Sequence, residues 1–199
     1  MTHTKNTYYF NSKEDNVSAK IAHALSSFIN FYYYQSREIV ILCIGSDRVT
    51  GDSLGPLIGY KLENFNRDNY AAFRRFGYRR LHLYGTLEYP VHAMNLKETV
   101  DDINFYHPDC PIIAIDASLG NNKYIGYITV GLGPLHPGTG VNKKLPAVGD
   151  IFITGIVGAS GMLEQMVLQN TRLSTVMTLA DKISQGLTIL FSHSPKQFL

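Results

Sequence analysis

Six consecutive apolar residues, Ile39-Val40-Ile41-Leu42-Cys43-Ile44, run straight into Gly45-Ser46-Asp47-Arg48-Val49-Thr50-Gly51-Asp52-Ser53. A short run rich in β-branched side chains and free of polar residues suits a strand buried on both faces. A parallel sheet covered by helices requires such strands. Beyond the polar stretch, Leu54, Leu57, Ile58 and Leu62 recur at helical spacing, with Pro56 in the first turn, where its missing N–H does no harm. The order is strand, polar loop, helix. In open α/β sheets ligands bind outside the carboxyl ends of the strands, so the loop carrying Asp47 and Asp52 is where chemistry is expected to start.

The rest of the chain repeats this grammar. Residues 1–15 read as a flexible tail, and 16–199 as a single α/β domain. From Asn16, the residues Val17, Ile21, Leu25, Phe28, Ile29 and Tyr32 share one helical face. Leu81–Tyr84 predicts a second strand, a helix is expected near Ala93–Phe105, and Pro111–Ile115 predicts a buried strand ending on Asp116. Tyr124–Val130 and Ile151–Val157 read as further strands, and helices are expected near Met162–Leu168 and over Ser174–Phe191. Strands alternating with helices predict a three-layer α/β/α sandwich with a largely parallel sheet.

Composition narrows the function classes. A net charge of +2 over 199 residues is too mild to argue for nucleic acid. The basic aromatic stretch from Arg67 to Arg80, with Arg74, Arg75 and Arg79, reads as a solvated face. Two cysteines make no disulfide framework, Cys43 lying in the buried run, and they fit a reducing cytoplasm. No apolar run approaches the roughly 18 residues of a membrane span, so no membrane partner is expected. Composition leaves a homo-oligomer open.

Asp52 and Asp116 form the leading constellation. Each follows an apolar strand, so both reach the carboxyl edge of one sheet. Two close carboxylates cannot both ionise cheaply: one keeps a proton while the other acts as a base, a pairing able to activate water and protonate a leaving amine. The competing reading makes Asp52 a helix cap and Asp116 a turn residue. Asp47 is a second acid in the same loop and could instead be the partner of Asp116, although pairing with Arg48 or with its own loop backbone is the simpler role for it. His136, in the glycine-rich loop from Pro134 to Gly140, could serve a divalent metal or carry a proton. His92, Glu88 and Glu164 read as ordinary surface or helix-end groups. The Gly45–Gly55 loop is neither a Walker loop nor a dinucleotide fingerprint, and Gly158-Ala159-Ser160-Gly161 lacks the spacing of a nucleophile elbow.

GSDRVTGDSLGP, IIAIDASLG and PGTGVNKKLPAVGD, in that order, resemble the YyaC sporulation protein family. That family is similar to the germination protease of spore-forming bacteria and, more remotely, to hydrogenase maturation proteases. The resemblance covers about residues 38–190 and implies a phosphorylase/hydrolase-like fold and a sporulation-associated endopeptidase of the cytoplasm or forespore. It implies Asp52 and Asp116 as catalytic aspartates acting on a protein or peptide substrate, with spore proteins as partners. Asp47 and the segment Gly138-Thr139-Gly140 would border the substrate. No cofactor is expected on this reading. The maturation-protease likeness offers the alternative of a divalent metal held with the help of His136. A non-catalytic spore protein binding a peptide in the same cleft is the alternative from outside enzymology. The chain lacks the extra segments of the germination protease, including an obvious pro-segment.

Overall fold

Glu38–Cys43 forms strand β2, and its alternation shows why the run had to be continuous. Ile39, Ile41 and Cys43 enter one hydrophobic core, while Val40, Leu42 and Ile44 enter a second core on the opposite face. The computed structural model describes residues 6–32, 36, 38–76, 80–138, 145–161 and 163–192, apart from the side chains of 31, 32 and 66–76.

The other strands are β1 (Thr7–Asn11), β3 (Arg80–Tyr84), β4 (Ile112–Gly120), β5 (Tyr127–Leu132) and β6 (Ile151–Ala159). They form one sheet in the order β1-β5-β6-β4-β2-β3. β3, β2, β4 and β6 pair in parallel, and β5 runs antiparallel between β6 and β1. The helices α1 (Val17–Tyr32), α2 (Leu54–Phe76) and α5 (Leu173–Ser192) pack on the face lined by Ile39, Ile113 and Ile153. Leu96 and Ile103 of α3 (Leu96–Tyr106) cover the other face, together with Leu135 and Val148 from the long loop. The short α4 (Glu164–Gln169) follows β6. Helices on both faces of a mostly parallel sheet make the three-layer α/β/α fold that the apolar patterning predicts. Among the described residues no helix is long and apolar enough to cross a membrane.

Three local expectations are corrected. Thr7–Asn11 is an edge strand and not part of a tail: Tyr8 and Phe10 pack on the core, while Tyr9 points outward. Asp116 does not end its strand, because β6 is equally long and pairs with β4 as far as Gly120. The strand expected from Tyr124 starts only at Tyr127, since Asn122–Tyr124 form a 3-10 turn.

Candidate active site

β2 and β4 are parallel neighbours, with Cys43 opposite Ile115, so the loop after β2 opens beside Asp116. The loop is tightly folded. Gly45 N–H donates to Val91 O (2.8 Å), Ser46 N–H to Asp52 O (3.1 Å) and Asp52 N–H to Val49 O (2.9 Å). Thr50–Ser53 form a 3-10 turn that leads directly into α2. Only glycine serves at position 45, where φ is +143° and a Cβ would lie 2.0 Å from Asp52 O. At Gly55 the constraint is proximity: a Cβ there would lie 2.1 Å from Ile44 O. These two glycines press the aspartate-bearing turn and the start of α2 onto the end of the central strand.

Asp116 lies on the same sheet face as Ala114, and β4 carries it into the second core with only 8% of its surface exposed. Ala117 N–H donates to its Oδ1 at 2.8 Å. Burial pushes its carboxyl well above the ordinary carboxylate range, and the charge of Asp52 pushes it further in the same direction. The Ala117 hydrogen bond only partly opposes them. Asp116 therefore holds its proton where an exposed aspartate would have lost it. Thr154 stands opposite it on β6.

Both aspartates line one open cleft of about 800 Å³. Asp47, Arg48, His136, Pro137 and Gly138 line it as well, so of the residues expected to border a substrate, Asp47 and Gly138 face the cleft. Thr139 and Gly140 lie outside the described residues. Glu88 and His92 from the segment after β3, and Glu164 from α4, also line the cleft, which reading them as surface charges did not foresee. Glu164 is a helix-end charge too, for its Oε1 accepts from Gly161 N–H (3.2 Å). Thr154 is a further lining residue that sequence alone missed; only the β4–β6 register places it beside Asp116. The donor atoms of Asp52, Asp116 and His136 do not gather within 4.8 Å of one another, so the three do not fit a preformed metal centre.

The family described as "Protein of unknown function (DUF1256)" matches residues 9–186. The "Uncharacterized protein YyaC" of Bacillus subtilis (strain 168) is 48% identical over 153 residues, covering 77% of this chain and 69% of the relative.

Proposed function

We propose that this chain, which belongs to the YyaC family of DUF1256 proteins, hydrolyses peptide bonds with the pair Asp52 and Asp116. The observation carrying this reading is that Asp116, buried at 8% exposure, shares an open cleft with Asp52, where burial first and the Asp52 charge second push its carboxyl up. Asp52, half-buried at the cleft wall, takes a proton from a water as that water's oxygen attacks the scissile carbonyl. Asp116 supplies its proton toward the departing nitrogen as the C–N bond breaks. The two carboxyls then hold one proton between them, as at the start, with their roles exchanged.

The walls bear on the substrate. Four acidic side chains besides the protonated Asp116 line the cleft (Asp47, Asp52, Glu88 and Glu164) against a single arginine, Arg48, among the described lining residues. Such a cleft favours a peptide with basic side chains. Sporulation and the forespore enter through the family resemblance, which makes spore proteins the first substrates to try.

The test is incubation of spore-extract proteins with the wild type, Asp52→Asn and Asp116→Asn. The wild type should release fragments, and each variant should lose activity by about 100-fold or more. Fragment release by both variants would end the carboxylate mechanism. Retention of an uncleaved peptide by the wild type would make the chain a binding protein that uses the same cleft.

A further inference from the structure

Glu38, His82 and His107 come from three elements distant in sequence and meet at the opposite end of the strands from the carboxylate cleft. Glu38 opens β2, and His82 lies on β3 opposite Val40, so the two side chains share the face covered by α3. His107 follows the last turn of α3, its N–H donating to Ile103 O at 2.8 Å. His82 Nε2 lies 2.9 Å from Glu38 Oε2, and the two imidazole rings are 3.8 Å apart between centroids. One donor atom from each of the three residues falls within 4.8 Å of the others.

We propose that Glu38, His82 and His107 bind a first-row divalent cation of the zinc class, tying the end of α3 to β2 and β3. Two imidazoles and one carboxylate are a set that zinc accepts, with water completing the tetrahedron. The distances allow it: donors in a tetrahedral zinc site sit about 3–3.5 Å apart, and Glu38 Oε2 and His82 Nε2 already stand 2.9 Å apart. The metal-free contacts already resemble what an ion would need. The Glu38–His82 hydrogen bond holds two donors together, with a proton where the ion would be. The Tyr84 hydroxyl is hydrogen-bonded to His107 Nε2 at 3.0 Å, the kind of outer partner that fixes a ligating ring. Arg80 Nη1 lies 3.7 Å from the other carboxylate oxygen, Oε1. Cys110 Sγ, 4.0 Å from Glu38 Oε2, stands beside the trio without joining it.

The test is calorimetric titration of the chelator-treated full chain with zinc chloride, for the wild type, His107→Gln, His82→Gln and Asp116→Asn. The wild type and Asp116→Asn should each bind one equivalent, and each histidine variant should bind at least about 10-fold more weakly. Zinc should raise the melting temperature of the wild type more than that of His107→Gln at the same zinc concentration. Because His107 lies outside both sheet and helix, its variant should fold even if His82→Gln does not, and metal-free melts check this. No binding by the wild type would overturn the site, as would equal binding by His107→Gln. Loss of zinc binding in Asp116→Asn, with the histidine variants unaffected, would move the ion to the carboxylate cleft.

Discussion

Asp116 keeps its proton in the folded chain at pH values where the unfolded chain has released it. Above the ordinary carboxylate pKa of about 3.9, the unfolded state therefore binds fewer protons than the folded one. Stability contributed by this group is complete below that pH and is lost as pH rises through the raised folded value. Asparagine keeps the size of the side chain and the acceptor for Ala117 N–H without the titration. Asp116→Asn is thus expected to melt a few degrees above the wild type at pH 7, at about 2–4 °C per kcal/mol for a chain of this length. The gap should close as pH falls toward 4, and melting curves across that range check it. Were Asp116 only a structural turn residue, the variant would be less stable at every pH. Both aspartates were legible in the sequence because each follows an apolar run. Glu38, His82 and His107 were not, since only strand register and the end of α3 bring them together.

Among the elements, the start of α2 is the most constrained. Glycine to alanine inside a helix ordinarily stabilises by about 1 kcal/mol. At Gly55 the added methyl would meet the Ile44 carbonyl, a backbone atom unable to step aside. The clash decides the sign, and Gly55→Ala should destabilise by about 1–3 kcal/mol in urea unfolding, with loss of function as the aspartate-bearing turn shifts. The edge strand β1 gives a second comparison. Phe10 packs on the core and Tyr9 is 65% exposed. Phe10→Ala should cost about 1–3 kcal/mol, and Tyr9→Ala less than about 0.5. Strands β2, β4 and β6 were readable as apolar runs, and α1 and α5 from their periodicity. Strand β1 was hidden because five residues near a polar terminus carry too little pattern.

For the molecule as a whole, charge is unevenly distributed. The chain carries a net +2, yet among the described lining residues Asp47, Asp52, Glu88 and Glu164 face the cleft beside the buried Asp116, against Arg48. A cleft of one sign attracts the other, and salt screens the attraction. Peptides flanked by Lys or Arg should therefore be cleaved with kcat/KM about 10-fold or more above acidic analogues, and the preference should shrink at high salt. Equal rates for both classes, independent of salt, would remove charge from substrate selection. The coarse architecture followed from strand–helix alternation. The acidity of the cleft did not, because Glu88 and Glu164 reach it from segments that look like surface when taken alone.

The most direct measurement is a carbon NMR titration of the Asp116 carboxyl in the wild type and in Asp52→Asn. A shared-proton pair predicts that Asp116 titrates well above the ordinary carboxylate range. Removing the Asp52 charge should lower its midpoint, while burial keeps it raised. An Asp116 that titrates in the ordinary range, or whose midpoint ignores Asp52→Asn, would contradict the pair and the hydrolysis built on it.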